Sequence, residues 1–116
     1  RPDGSVDASF NSDPLPGAFI SQVIALSNDH VAVVGVMGSD PGASRSTGYV
    51  IVLDAAGRQD STFGLRTMTN VFTTPPSVAA LAIDGTGDIF LGGAFTRYEN
   101  QTMQRIARLH SDGSAD

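Results

Sequence analysis

The side chains best suited to recognition lie in two loops that separate apolar runs of the sequence. One loop carries Arg45, and the other carries Arg97, Tyr98, Glu99 and Asn100. Arginine and tyrosine are enriched at binding interfaces, and loops on a rigid scaffold carry function more often than strands do. We therefore predict ligand-binding residues at these five positions, with ordinary solvated loop polarity as the plain alternative. Glu99 is the sole glutamate and also a candidate for half of a catalytic carboxylate pair, although an exposed loop explains it as well.

Alternating acidic and hydroxyl residues suggest a second chemistry, which is calcium coordination. Asp3, Ser5 and Asp7 place oxygen atoms at alternate positions, and the same spacing recurs at residues 112–116. No bidentate acid follows where a full calcium loop needs one, and the middle copy of the pattern has Arg58 beside its glycine. We therefore predict Asp-Gly turns in which the second aspartate caps backbone N–H groups, and no cofactor, with a calcium-stabilised repeat as the alternative.

Other catalytic chemistry has little support in the sequence. His30 and His110, the only imidazoles, both lie in turns and lack the spacing of a zinc site. There is no cysteine, which excludes disulfides and thiolate sites, and no serine lies in a Gly-x-Ser-x-Gly elbow. We predict no metal site and no enzymatic activity for this chain, and leave open the activity of a longer parent protein.

The composition favours turns and strands over helices. The 116 residues include eleven Asp but one Glu, seven Arg but no Lys, and 13 Gly, which argues against a helical bundle. A formal net charge of −5 argues against nucleic-acid binding, and no apolar run reaches the roughly 18 residues of a membrane span. The Lys-free composition, rich in Ser, Thr, Gly and Asp, favours a bacterial extracellular or cell-surface location.

Three segments of the chain repeat one another around a glycine turn. Their glycines lie 53 and then 56 residues apart. We therefore divide the chain into a degenerate repeat one at 1–53, repeat two at 54–109 and the start of a third repeat at 110–116, and expect the array to continue in a longer polypeptide. The aligned positions are Gly4, Gly57 and Gly113; Asp7, Asp60 and Asp116; and Phe10 and Phe63.

Each repeat contains three apolar runs of strand length, bounded by Gly, Asp, Asn, Ser or Pro. Short loops join the first two runs as hairpins, and longer loops at Gly38–Gly48 and Thr96–Thr102 precede the third. A short fourth strand is predicted at Val6–Phe10 and at Gln59–Phe63. Four antiparallel strands form a propeller blade, so we predict an all-β fold of two tandem blade-like repeats within a β-propeller, with a compact β-sandwich as the alternative. The six runs are Ser21–Leu26, Val31–Met37, Tyr49–Leu53, Ser77–Ile83, Asp88–Phe95 and Met103–Leu109.

Two adjacent glycines, Gly92 and Gly93, lie inside a predicted strand. Glycine weakens a strand, so this pair predicts a β-bulge or a close approach of a neighbouring sheet. Repeat one keeps a glycine only at Gly35, which aligns with Gly92. Phe95 follows the pair, and we predict that it packs between blades.

Repeat two and the start of the third repeat carry V-A-A-L-A-I at 78–83, I-F-L-G-G-A-F at 89–95 and R-I-A-R-L-H-S-D-G-S-A-D at 105–116. This pattern resembles the delta-60 repeat of bacterial secreted and surface proteins. Repeat one departs from the pattern, with Tyr49–Leu53 in place of R-I-A-R-L. The resemblance implies a propeller-like fold and leaves the function open.

Two blades cannot close a propeller ring, so we expect neighbouring blades, other subunits or further copies of the chain as partners. The leading hypothesis is a non-catalytic structural or binding module that contacts a protein or a glycan. The alternatives are a fragment of a propeller enzyme acting on glycans or lactones, and a calcium-stabilised adhesin repeat.

Overall fold

The computed structural model describes residues 1–15, 19–38, 46–71 and 76–116, and within them it is almost entirely antiparallel β-sheet. The one helical element of these segments is a 3₁₀ turn at Ser27–Asp29. In the described part of the chain, no helix has the length and apolar character needed to cross a membrane. The strands are β1 (Phe19–Ala25), β2 (Val31–Met37), β3 (Thr47–Leu53), β4 (Arg66–Thr69), β5 (Ser77–Ile83), β6 (Ile89–Ala94), β7 (Arg97–Tyr98), β8 (Gln101–Thr102) and β9 (Ile106–Leu109).

The first sheet is a meander whose strands follow one another in chain order, as in a propeller blade. Its order is β1-β2-β3-β4, with the β7–β8 hairpin added at the β4 edge. β2 pairs with β3 along its whole length, from Val31 opposite Leu53 to Met37 opposite Thr47. This central position explains the continuous apolar run predicted for β2, because residues Ala32 to Gly35 are buried on both faces.

The second sheet contains β5, β6 and β9 in that order. Its outer strand β9 alternates between buried and exposed residues, with Ala107 and Leu109 buried while Ile106 is 65% exposed. The all-β, blade-like fold predicted from the sequence is therefore confirmed, and each of the six long runs overlaps a strand.

The predicted short fourth strand is wrong at both Val6–Phe10 and Gln59–Phe63. In the first segment Asp7 Oδ1 accepts the backbone N–H of Ser9 at 3.0 Å, and in the second Asp60 Oδ1 accepts that of Thr62 at 2.8 Å. These hydrogen bonds curl both segments into turns. The fourth strand of the first sheet is β4 instead, which lies a few residues further along and pairs with β3.

Both sheets contribute to one shared core, which lies between their facing surfaces. The first sheet supplies Val34, Val50 and Met68, and the second supplies Leu91 and Leu109, among others. Phe95 is 1% exposed in this same core, which confirms its predicted position between the sheets. A smaller cluster covers the opposite face of the first sheet and contains Val33, Tyr49, Ile51 and Leu53, with Leu15, Val31 and Met37 packed against it.

The strand glycines mark the same bulge in both sheets. Gly35 pairs with Ile20 and Gly93 pairs with Val78, each immediately before a break in register. A Cβ atom on either glycine would overlap a carbonyl oxygen of the paired strand, which requires glycine at both positions. The predicted bulge is therefore confirmed, but the equivalent of Gly35 is Gly93 and not Gly92.

Candidate functional site

The loop predicted to bind a ligand is a β-hairpin at the edge of the first sheet. Arg97 pairs with Thr102 and Tyr98 with Gln101, and the two residues between them form the turn. Glu99 has a φ of 51°, which closes this tight turn. The prediction of a longer loop at 96–102 is thus wrong, because β7 pairs with β4 and β8 pairs with β7.

Tyr98 and Glu99 hold the hairpin in place. Tyr98 is 2% exposed and its hydroxyl donates a hydrogen bond of 2.6 Å to the carbonyl oxygen of Gly113. Burial raises the pKa of this phenol well above its ordinary value of 10.0. The Glu99 carboxylate accepts the backbone N–H of Thr67 at 2.7 Å, and the Glu99 N–H donates to the Thr67 carbonyl at 2.8 Å. The expectation that Tyr98 belongs to an exposed loop is therefore wrong, since its ring is part of the core.

Arg97 and Asn100 are exposed at the hairpin surface, and Glu99 is exposed as well although its carboxylate is bonded. Arg45 lies outside the described residues. Ligand binding by Arg45, Arg97, Tyr98, Glu99 and Asn100 stays a prediction, although Tyr98 has only 2% of its surface exposed.

A cleft of about 380 Å³ lies beside the hairpin and contains a second arginine that the sequence did not single out. Among the residues that the structure describes, neither Arg97 nor Arg105 forms an ion pair, and none of those that line the cleft is acidic. Arg105 has a φ of 71°, a backbone conformation that residues other than glycine rarely adopt. The lining residues are Val71, Thr96, Arg97, Thr102, Gln104 and Arg105.

Backbone hydrogen bonds fix the walls of this cleft. Thr96 donates its N–H to the Thr69 carbonyl and accepts the Met103 N–H on its own carbonyl, both at 3.0 Å. Arg105 donates its N–H to the Phe95 carbonyl at 2.9 Å and accepts the Gly93 N–H at the same distance. The backbone of Thr96, which precedes Arg97, and the backbone of Arg105 are therefore both held by hydrogen bonds.

A second charged group surrounds Arg108 at the end of the second sheet. Its guanidinium lies 3.2 Å from Asp84, 2.8 Å from Asp88 and 3.3 Å from Asp116, and 5.6 Å from the Phe90 ring centroid. The arginine thus ties the hairpin turn at 84–88 to the turn at 110–116. Arg108 is ion-paired with all three carboxylates, so this cluster holds the two turns together.

The candidate calcium segments are hydrogen-bonded turns. Asp3 Oδ1 accepts the Ser5 N–H at 2.9 Å and its hydroxyl at 2.7 Å, and Asp112 binds Ser114 in the same way at 2.8 and 2.6 Å. The hydroxyl hydrogen bond is the main cause of the lowered pKa of each aspartate. The predicted turns are confirmed, with two kinds of cap: the first aspartate of each segment accepts a backbone N–H, and the predicted cap by the second aspartate is present at Asp7, which accepts the Ser9 N–H. Within the described ranges no three His, Asp or Glu side chains form a group that could hold a metal ion, and the calcium alternative stays untested.

Comparison with known proteins yields one match. A family model described as a domain of unknown function (DUF5122) beta-propeller matches residues 85–116. No curated protein and no solved structure matches the chain. The matched segment includes β6 to β9, the hairpin, Arg108 and the turn at 110–116, so this part of the chain is similar to a repeat of a β-propeller family.

Proposed function

We propose that this chain is a non-catalytic building module of a β-propeller, of the delta-60 repeat kind, in a secreted or surface protein of a bacterium. Its sheets stack against further sheets of the same type, and its rim contacts a protein or, as we favour, a glycan. The observation that carries this proposal is that the two sheets have equivalent faces, of which one is covered by a neighbouring sheet and the other is exposed. The Lys-free composition supports the location, and the DUF5122 beta-propeller match over residues 85–116 supports the fold context.

The two sheets present equivalent residues in opposite situations. Gly35 and Gly93 hold the same place in the register of the two sheets, so the residues of one sheet can be matched to those of the other. The face of the first sheet that lies in the shared core, its inner face, then corresponds to the face of the second sheet that points away from that core, its outer face. In the first sheet this face is covered by the second sheet, whereas in the second sheet the same face includes Ile106, which is 65% exposed. The inner-face residues Ala32, Val34, Val50 and Val52 correspond to Phe90, Gly92, Ile106 and Arg108.

One contact between repeats also occurs twice. The glycine of the turn at 54–60 lies close to backbone of an earlier segment, since a Cβ on Gly57 would lie 2.8 Å from Asn11 and Ser12. The glycine of the turn at 110–116 is enclosed in the same way, since a Cβ on Gly113 would lie 2.9 Å from the Phe63 carbonyl. Each repeat therefore docks its turn against the segment that follows the preceding turn, which is a head-to-tail contact able to propagate.

The chemistry of the aspartates supports a non-catalytic role. The pKa values of Asp3, Asp7, Asp54, Asp84 and Asp112 are lowered, mainly by hydrogen bonds from hydroxyl or backbone groups of their own turns. A general acid needs a raised pKa to hold its proton near neutral pH, which is the opposite perturbation.

The test of the stacking proposal is the native mass of the chain as a function of concentration, by sedimentation equilibrium. We expect association beyond 12.0 kDa, because a second copy supplies the sheet that covers the Ile106 face. Ile106→Asp should abolish the association, since a charge on that face opposes its burial. Leu65→Asp is the matched control, because Leu65 is also an exposed aliphatic residue but precedes β4 of the first sheet, whereas Ile106 belongs to the second.

Two results would overturn this proposal. One is a mass of 12.0 kDa at every concentration, and the other is an equal loss of association in Ile106→Asp and Leu65→Asp. Circular dichroism of each variant establishes that a lost association is not lost folding.

A further inference from the structure

We propose that the cleft between Arg97 and Arg105 is a binding site for an acidic sugar unit, recognised through its carboxylate or sulfate group. This inference rests on the glycan contact in the proposed function and names the ligand class. The occupant is one acidic residue of a polysaccharide, because the cleft combines cationic, hydrogen-bonding and apolar groups in a volume larger than a bare ion requires.

Charge is the first argument. The chain carries a formal net charge of −5, yet the described residues that line this cleft include two arginines and no acidic residue. Arg108, by contrast, is surrounded by three aspartates. Guanidinium groups match the planar, bidentate geometry of carboxylate and sulfate oxygens, so two of them without internal partners favour an external oxyanion.

The remaining lining residues suit a sugar ring. Thr102 and Gln104 are exposed and offer a hydroxyl and an amide that can bond ring hydroxyl groups. Val71 is 68% exposed and gives one wall an apolar surface for the C–H face of a ring. A volume of about 380 Å³ lies within the range of small-molecule sites.

The backbone around the two arginines is fixed before a ligand arrives. Arg97 lies directly opposite Thr102 in the hairpin, and Arg105, with a φ of 71°, is hydrogen-bonded through its backbone to Gly93 of β6 and to Phe95, which follows β6. Strained backbone of this kind persists only where the surrounding structure enforces it, and it is concentrated at functional sites. The strain at Arg105 sets the point at which its side chain leaves the sheet beside the hairpin.

The test is titration of the intact chain with three oligosaccharides of equal length, followed by NMR chemical shifts. One carries uronic acid carboxylates, one carries sulfates and one is neutral. We expect binding of at least one acidic oligosaccharide that weakens with added salt, and no binding of the neutral one. The stronger of the two acidic arms identifies the oxyanion.

Variants locate the binding at the cleft. Arg97→Ala and Arg105→Ala should each weaken the affinity roughly three- to tenfold, as expected for loss of one charge-assisted hydrogen bond at an exposed site. Both keep a β-carbon, so the backbone strain at residue 105 is unchanged. Arg58→Ala is the matched control, since Arg58 is an exposed arginine in the turn at 54–60.

Three outcomes would overturn the inference: no binding of either acidic oligosaccharide, equal binding of the neutral one, or equal weakening by Arg58→Ala. Failure here leaves the sedimentation result untouched, because stacking depends on the Ile106 face and not on the cleft. The two proposals therefore fail separately.

Discussion

Two buried tyrosines provide a test in which one chemical change has opposite expected effects. Tyr49 is 0% exposed and Tyr98 is 2% exposed, so both phenols are removed from water. The Tyr98 hydroxyl donates to the Gly113 carbonyl at 2.6 Å, whereas the Tyr49 hydroxyl has no hydrogen-bond partner among the described residues. Tyr→Phe deletes the same oxygen atom at each position and leaves the ring in place.

At Tyr98 the substitution should destabilise the fold. It removes a hydrogen bond and leaves the carbonyl of the buried Gly113 without its partner, which costs about 1–3 kcal/mol of unfolding free energy. The loss should be measurable by urea denaturation followed by circular dichroism, with an unchanged dependence on urea concentration because the core is otherwise intact.

At Tyr49 the substitution should be neutral or stabilising. An unpaired buried hydroxyl carries a desolvation penalty of about 1–3 kcal/mol, and replacing it with a C–H removes that penalty. The ring of Tyr49 covers Gly35, where the position of an added Cβ lies 2.8 Å from a ring carbon, and phenylalanine keeps this contact.

The double variant supplies an internal control. The two tyrosines belong to different core clusters, so their effects should add to within about 0.5 kcal/mol. A Tyr49→Phe variant destabilised as much as Tyr98→Phe would refute this reasoning, as would a Tyr98→Phe variant indistinguishable from the parent chain.

Further predictions concern one glycine and two ranges of pH. Gly93→Ala should destabilise by about 2 kcal/mol or more in urea denaturation, because its Cβ would overlap the Ser77 carbonyl oxygen, whereas Gly85→Ala, which meets open space, should have little effect. Burial raises the pKa of Tyr98, so the contribution of this residue to stability is complete below pH 10.0 and is lost as the pH rises above that value. In thermal melts, the melting temperature of Tyr98→Phe should therefore fall less steeply with alkaline pH than that of the parent chain. The hydrogen bond from the Thr86 hydroxyl lowers the pKa of Asp84, so the contribution of Asp84 to stability is present above pH 3.8 and is lost below it. Asp84→Asn keeps an oxygen that accepts the hydrogen bonds of the turn, and its melting temperature should fall less steeply with acidic pH.

The long strands could be predicted from the sequence because burial imposes a pattern over several residues. β2 was predicted with its observed bounds, Val31–Met37, because a strand covered on both faces is apolar throughout. The β7–β8 hairpin could not be predicted in this way, since strands of two residues carry no periodicity and depend on pairing with β4. β4 has only four residues and is held by β3 on one side and β7 on the other.

The site residues were predicted only in part, for a related reason. The polar stretch at 97–100 indicates an exposed loop, but the hairpin folds onto a turn that comes later in the chain and buries Tyr98 beneath Gly113. Arg105 was predicted to be an ordinary strand residue. Its place beside Arg97 depends on the hairpin and on a positive φ, and the sequence carries no signal for either.

The boundaries of the sequence repeats do not coincide with those of the sheets, which affects how such a chain folds as it is synthesised. β4 comes from repeat two in the sequence but closes the first sheet, and β7 and β8 extend that sheet from still further along the chain. A ribosome that has released only the first repeat has therefore released a sheet without its outer edge. A gene fusion or repeat exchange with its boundary after Leu53 would separate β3 from β4, which pair with each other. A unit that runs from β1 through β4 would keep these strands together.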